Sequence, residues 1–370
     1  MKMTKLICLA MLVLSIFLVS GVATGQQSLN FMHNQTSAHP SKYSEWMKSV
    51  VRIEIPLKDE KSMIAGSGWI LSSDGTIVTN YHVIKHMITG EGKEIDVMFS
   101  DGTFAKAEVV GGDEAGDVGI IKVNVKKTLR AMPIANSLDV TLGQEVFLMG
   151  NPLDQGLTLT HGYITAPLSP FFPEEAFSYF ESDATLNPGN SGGALLDANG
   201  NLIGMPSMLE SGQHGNAYGF AISSNDIKWA IEKIMAKVDM TRAKLGLKLQ
   251  QSSIEDKTTN IFSNNGVLVI DTANPSILKG DIIVGINDTA VASFNELHTV
   301  LGKTLVGDKF TLTVIRQGKQ VVINMVGSVV EPPADIVINL NDLLNPKKND
   351  FEHHRHFHKH HYHKHHREYR

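Results

Sequence analysis

Between Ser49 and Ser223, apolar residues recur in short runs broken at close intervals by turn-forming residues, and this pattern restricts the fold more than any other feature of the chain. In "GSGWILSSDGTIVTNYHVI" the pair Asp74-Gly75 separates two strand-like runs, and "IDVMFSDGTFAKAEVV" repeats the device at Asp101-Gly102. Glycine has no Cβ to clash at positive φ, so an Asp-Gly pair between such runs is a strong hairpin signal. Further strand candidates are "DVGIIKV", "QEVFLMG", "LTLTHGYITA", "NLIGMPS" and "AYGFAIS". Many short strands at this spacing predict a mainly β architecture, a barrel or a sandwich.

The period changes at "SSNDIKWAIEKIMAKV", where Ile227, Ile231, Ile234, Met235 and Val238 fall on one helical stripe and Ser224 or Asn225 is the expected N-cap. This helix closes a first domain, expected over residues 46–240 after a flexible polar lead-in at 26–45. A second unit, expected over 241–330, contains strand-like "GVLVI", "DIIVGIN", "KFTLTVIR" and "QVVINMV" with a helical "FNELHTVLGKTL" among them. Residues 331–370 read as a linker and a histidine-rich tail.

The chain starts with Lys2 and Lys5 ahead of an uncharged apolar run, Leu6 to Val19, and then Ala23-Thr24-Gly25. A basic start, an apolar stretch and small residues predict a cleaved secretory signal peptide over residues 1–25, and hence a periplasmic or secreted protein. Extending the run to Val22 brings it to the lower edge of a spanning helix, so an uncleaved anchor is the alternative. The only cysteine, Cys8, lies in this leader, which leaves the mature protein without a disulfide. A formal charge of −5 argues against nucleic acid as a partner, since a phosphate-binding surface needs an excess of Lys and Arg.

In "NPGNSGGALL", Ser191 sits among glycines. A serine hydroxyl is a weak nucleophile unless a base takes its proton, and the base needs a third group to hold its tautomer and balance its charge. His82, at the end of a strand run in "VTNYHVI", is the leading base, with His86 and His161 as competitors. Asp117 opens the apolar strand "DVGIIKV" and is the leading acid, whereas Asp96, Asp101 and Asp113 read as ordinary surface or turn acids.

With "TNYHVI", "GDVGIIKV" and "NPGNSGGALL" in the order His, Asp, Ser, the chain resembles the trypsin-like proteases of the HtrA (Deg) family. "GSGWILSSDGTIVTN", "LGQEVFLMGNP", "ESDATLNPGNSGGALLDANGNLIG" and "YGFAISSN" extend the resemblance through the first domain in family order. The resemblance implies a chymotrypsin-like double β-barrel with His82 as general base, Asp117 as its orienting acid and Ser191 as nucleophile. It also implies an oxyanion hole at Gly189, Asn190 and Ser191, formed by backbone N–H groups, chiefly those of Gly189 and Ser191. Gly119 departs from the family's usual alanine and is expected to loosen its strand by about 0.5–1 kcal/mol.

By the same resemblance, Thr185 and Leu186 floor the substrate pocket, Tyr218 and Gly219 belong to the strand that pairs with substrate, and Tyr218 narrows the pocket. No acid is present there to pair a basic side chain, so cleavage is expected after small or medium apolar residues. "KLGLKL…GVLVIDTANPSILKGDIIVGINDTAVASFNEL" resembles the PDZ domain that follows the protease in this family, although "ANPSILKGD" is shorter than the family norm. The loop Lys244, Leu245, Gly246 and Leu247 would then receive a peptide's C-terminal carboxylate, with the peptide adding as a strand. The family further implies ATP-independent cleavage of unfolded proteins, a homotrimer, and catalysis that requires no cofactor.

The tail "FEHHRHFHKHHYHKHHREYR" carries His353, His354, His356, His358, His360, His361, His363, His365 and His366, with a short internal repeat. Closely spaced neutral imidazoles are good ligands for Zn, Ni, Cu or Co, which makes the tail a candidate metal-binding segment. A solvated basic tail is the plainer reading. Two rival functions stay open at the level of sequence: a non-catalytic chaperone or peptide-binding sensor, and a metal buffer in which the protease fold is secondary.

Overall fold

A computed structural model describes residues 41–59, 61–152, 156–169, 177–211, 217–256 and 261–331. The expected leader, most of the lead-in, the linker beyond Glu331 and the histidine-rich tail lie outside the described residues. Among the described residues no helix is long and apolar enough to cross a membrane.

The chain divides into two compact units, one comprising the described residues up to Arg242 with Phe294–Asp308, the other Ala243–Ser293 with the described residues from Lys309. In the first unit, helix α1 (Lys42–Met47) occupies the end of the stretch expected to be flexible. Ser41 caps it, accepting from the Ser44 N–H, and Trp46 is buried with its ring 5.7 Å from that of Phe147. That aromatic anchor supplies what the polar composition of the lead-in concealed.

Strands β1 (Val50–Pro56), β2 (Met63–Ile70) and β3 (Thr76–Thr79), helix α2 (Tyr81–Ile88), then β4 (Ile95–Met98), β5 (Phe104–Asp113) and β6 (Val118–Val123) build a closed barrel in the order β1-β2-β3-β6-β5-β4. Closure follows from β1 pairing both neighbours, with Ile53 opposite Gly66 on one side and Val97 on the other. Inward residues Ile53, Ile55, Ile70, Ile77, Val97 and Ile121 fill it. The Asp74-Gly75 turn forms as expected: Gly75 has φ 99°, and Asp74 accepts from the Thr76 N–H and hydroxyl.

A second closed barrel runs β10-β11-β12-β9-β8-β7. Its strands are β7 (Glu145–Gly150), β8 (Thr158–Ser169), β9 (Tyr179–Ser182), β10 (Ala194–Leu196), β11 (Leu202–Ser211) and β12 (Ala217–Ser223). Val146, Leu148, Ile164, Phe180, Leu195 and Ile203 form its interior. A third cluster unites the barrels: Trp69, Val78, Val118 and Ile120 from the first pack with Met149, Ala194, Leu196, Met205 and Ile222 from the second. Each buried Val, Leu, Ile or Met in this cluster contributes about 1.5–3 kcal/mol, so separating the barrels at their seam would cost much of the core.

Helix α3 (Ser224–Met235) packs on the same cluster through Ile227, Ala230 and Ile234. Its N-cap is Ser223, one residue earlier than expected, with Oγ accepting from the Asp226 N–H. Met235 is exposed and Val238 lies beyond the C-cap Ala236, so the apolar stripe ends sooner than its sequence spacing implies.

In the second unit β13 (Lys244–Leu245) pairs in parallel with β20 (Val329–Val330). The main sheet has the order β14 (Leu247–Asp256), β15 (Ile261–Thr272), β16 (Ile282–Ile286), β18 (Lys309–Arg316), β19 (Lys319–Val326), with β17 (Thr289–Ala290) paired to β16. Helix α4 (Phe294–Leu301) falls in the stretch grouped with the first unit.

Candidate active site

His82 is the second residue of α2, which begins directly after β3, and Asp117 immediately precedes β6. β3 and β6 are paired, Thr79 opposite Gly119, so the ladder brings the two residues together. His82 Nδ1 lies 3.1 and 3.0 Å from the Asp117 carboxylate oxygens, and the His82 backbone N–H donates to Oδ1 at 3.0 Å. Nδ1 therefore carries the proton in the neutral ring, which leaves Nε2 free to accept one. Burial works against the imidazolium, but the charge and hydrogen bond of Asp117 outweigh it and hold the His82 pKa above its ordinary value.

Asp117 has φ 52°, a left-handed conformation unfavourable for a residue with a Cβ. Several contacts hold it there. Its carbonyl accepts from Asn80 Nδ2 at 3.1 Å, its N–H donates to Glu114 O, and its Oδ2 accepts from Ser207 Oγ at 2.5 Å. The turn leading to it is anchored by Asp113, which is not the surface acid expected but fully buried. Asp113 accepts from the Ala115 and Gly116 N–H groups and from Arg242 Nη2 at 2.5 Å, while the Arg242 guanidinium lies 4.9 Å from the Trp229 ring. Burial raises the Asp113 pKa despite Arg242. The sequence "GGDEAGD" looks like a solvated turn because its covers, Phe177 and Arg242, come from far along the chain.

The competing histidines are engaged elsewhere, His86 with Glu91 at 2.5 Å and His161 with Glu145 at 2.9 Å. Asp101 pairs with Lys127 and Asp96 with Lys106, both on the surface. Ser191 lies in the loop between β9 and β10 and donates through Oγ to the Ser207 carbonyl at 3.4 Å; no hydrogen bond joins it to His82 among the described residues. Ser207, in β11, thus touches both Asp117 and Ser191, a link that sequence reasoning missed because a serine inside a strand carries no distinguishing signal.

Around Ser191 the backbone amides are of two kinds. Asn190 N–H donates to Asn187 O, Gly192 N–H to Pro206 O and Gly193 N–H to Asn190 O, whereas the N–H groups of Gly189 and Ser191 have no acceptor among the described residues. The Asn190 amide is therefore committed, and the candidate anion-binding donors narrow to those of Gly189, at φ 95°, and Ser191. Two unpaired N–H groups beside a hydroxyl can stabilise an oxyanion forming on an attacked carbonyl.

Leu186 is buried, the Thr185 carbonyl accepts from Thr160 Oγ1 at 2.9 Å, and Gly219 approaches Leu186 so closely that a Cβ would lie 3.2 Å from Leu186 Cβ. Tyr218 pairs with Glu210 along β12, but its side chain lies outside the described residues. In the second unit, Gly246 has φ 68° and separates Lys244 and Leu245 of β13 from Leu247 of β14. The Lys244 N–H donates to Ser328 O. Among the described residues no group of three His, Cys, Asp or Glu side chains converges as a metal site would.

Residues 66–205 match the trypsin-like peptidase domain and residues 244–325 the PDZ domain. The periplasmic serine endoprotease DegP of Escherichia coli (strain K12) is 33% identical over 278 residues, 72% of this chain and 58% of that protein. The chloroplastic protease Do-like 1 of Arabidopsis thaliana is 33% identical over 276 residues, 68% of this chain and 61% of that protein. The chain thus spans somewhat over half the length of these relatives. The structure of the HtrA-type protease AlgW with tripeptide superposes with a TM-score of 0.65 at 27% identity, covering 80% of this chain and 99% of that one. The mainly β double barrel, the following PDZ domain and these relatives together show that the chain belongs to the HtrA (Deg) family of trypsin-like peptidases.

Proposed function

We propose that the chain is an exported serine endopeptidase in which His82 is the general base, Asp117 its orienting acid and Ser191 the nucleophile. The observation that carries this reading is the double contact of Asp117 with His82 Nδ1, set beside a serine whose own amide and that of Gly189 are unpaired. In the reaction Ser191 Oγ attacks a peptide carbonyl as its proton passes to His82 Nε2, the oxyanion is held by the Gly189 and Ser191 N–H groups, and His82 returns the proton to the departing amine. Water, deprotonated by the same histidine, then releases the acyl group. No cofactor and no ATP enter these steps.

The substrates in this reading are unfolded proteins cleaved after small or medium apolar residues, because Leu186 is apolar and buried against Gly219 and no acid stands at positions 185, 186, 218 or 219. The loop Lys244–Leu247 receives peptide C-termini, the domains run over 46–240 and 241–330, the site of action is the periplasm as in the Escherichia coli relative, and the assembly is a homotrimer. Histidines 353–366 of the tail bind divalent transition metals. Incubating casein or an apolar peptide with wild type and Ser191→Ala tests the catalytic reading. Turnover should fall by about 10⁶-fold in the variant; equal turnover by both refutes Ser191 as the nucleophile, and no turnover by wild type favours a non-catalytic chaperone.

A further inference from the structure

The geometry points to Ser67, a residue of the first barrel, as the positioning residue of the oxyanion hole in the second. Ser67 lies in β2, is fully buried, and bonds to the nucleophile loop twice. Its hydroxyl donates to the Gly189 carbonyl at 2.6 Å, and its N–H donates to the Ser191 carbonyl at 2.9 Å. The same hydroxyl accepts from the Asn151 N–H at 2.8 Å, and the Ser67 carbonyl accepts from Thr79 Oγ1 at 2.6 Å. Each hydrogen-bonding group of Ser67 thus has a partner, which fixes its hydroxyl rotor without help from solvent.

A peptide unit is planar, so holding both its C=O and its N–H fixes its orientation. The unit joining Gly189 to Asn190 is held by Ser67 Oγ at one end and Asn187 O at the other. The unit joining Ser191 to Gly192 is held by the Ser67 N–H and by Pro206 O. Those two clamped units flank the Ser191 N–H, and the first adjoins Gly189, whose N–H is the other unpaired donor. Gly189 has no Cβ to restrict its rotation, so a glycine loop able to aim its amides at an oxyanion needs an external clamp to keep them aimed. Ser67 supplies that clamp from the opposite barrel, and among the described residues no hydrogen bond joins it to His82 or Asp117.

This inference rests on the assignment of Ser191 as nucleophile. The test measures kcat, KM and the pH dependence of kcat/KM on an apolar peptide for wild type, Ser67→Ala, Ser67→Cys and Ser191→Ala, with the affinity of a peptide boronate that binds as a tetrahedral adduct. Removing the hydroxyl should lower kcat by about 10–100-fold, short of or near the loss of one oxyanion donor, with KM held within about twofold. Boronate affinity should fall by the same factor, and the acid limb set by His82 should stay in place. A thiol is a weak donor, so Ser67→Cys should fall between wild type and Ser67→Ala, and it carries the test alone where the alanine variant does not fold. A kcat for Ser67→Cys or Ser67→Ala equal to wild type, or a loss accompanied by a shifted acid limb, overturns the proposal. Undiminished turnover by Ser191→Ala would instead overturn the nucleophile assignment on which it stands.

Discussion

His82 and Asp117 are fixed by charge and by buried side chains, Asp113 and Arg242 among them, whereas Gly189 and Ser191 are fixed by the hydrogen bonds of neighbouring peptide units and by Ser67. The first half of the site therefore titrates and the second does not. A change to the first should alter the pH dependence or stability together with rate, while a change to the second should alter rate without moving the acid limb. Substitution tests this contrast, most strongly at the acid.

Replacing Asp117 by Asn keeps the shape of the side chain but puts an amide opposite Nδ1, which removes the charge and favours the wrong tautomer. A loss of about 10⁴-fold in kcat is expected. Catalysis needs neutral His82, so activity falls as pH drops through the His82 pKa, which Asp117 holds above the ordinary histidine value in the wild type. Without Asp117 only burial remains to shift the ring, and burial disfavours the cation, so the acid limb of the residual activity should move to lower pH. A pH profile of kcat/KM for both proteins checks the direction; an unmoved limb would mean that Asp117 does not set the protonation of His82. The linkage has a stability side too. A raised histidine pKa stabilises the fold below the unfolded pKa, and that contribution is lost as pH rises through the folded one.

Next in size is Arg242. Its guanidinium is the only charged partner of buried Asp113 among the ion pairs of the described residues. Arg242→Met retains an apolar stem over Trp229 but abandons the carboxylate, and breaking a buried pair costs about 3–5 kcal/mol. Urea unfolding should show that loss, and the double variant Asp113→Asn with Arg242→Met should recover most of it. A cost below about 1 kcal/mol would class the pair with ordinary surface bridges and detach it from the support of Asp117.

The half of the site built from side chains was far easier to read in the sequence than the half built from backbone. His82, Asp117 and Ser191 announce themselves by residue type and order, and the hairpin turns by Asp-Gly pairs. Direction of a peptide N–H leaves no such mark. Ser67 and Ser207 are serines within apolar strands, and what distinguishes them is a barrel seam that joins Ser67 to Gly189, 122 positions away, and Ser207 to Asp117, 90 positions away. Asp113 was misjudged for the related reason that burial is decided by distant partners, Phe177 and Arg242, and not by its polar neighbours in sequence. Local signals were off by little where the physics is local, as with Ser223 in place of Ser224 or Asn225 as the cap of α3.

Gly119 gives the smallest effect and the sharpest reversal of a sequence argument. From sequence it is a weak point in β6, one that alanine should tighten. In the fold β6 lies under α2, and a Cβ on residue 119 would sit 2.6 Å from Ile84 Cδ1, 2.9 Å from its Cγ1 and 3.2 Å from the Asn80 carbonyl. Ile84 is fully buried, so it has little room to yield. Overpacking of this kind costs about 1–3 kcal/mol, and the entropy gained in the unfolded chain offsets about 0.4–1 kcal/mol of that. Gly119→Ala should therefore lower stability by about 1 kcal/mol in urea unfolding. Adding Ile84→Val removes the nearest atom, Cδ1, and should relieve part of the crowding, making the alanine less costly in the Ile84→Val background than alone. A stabilised Gly119→Ala protein would show that the glycine is a flaw in the strand and not the space into which the helix bearing His82 is fitted.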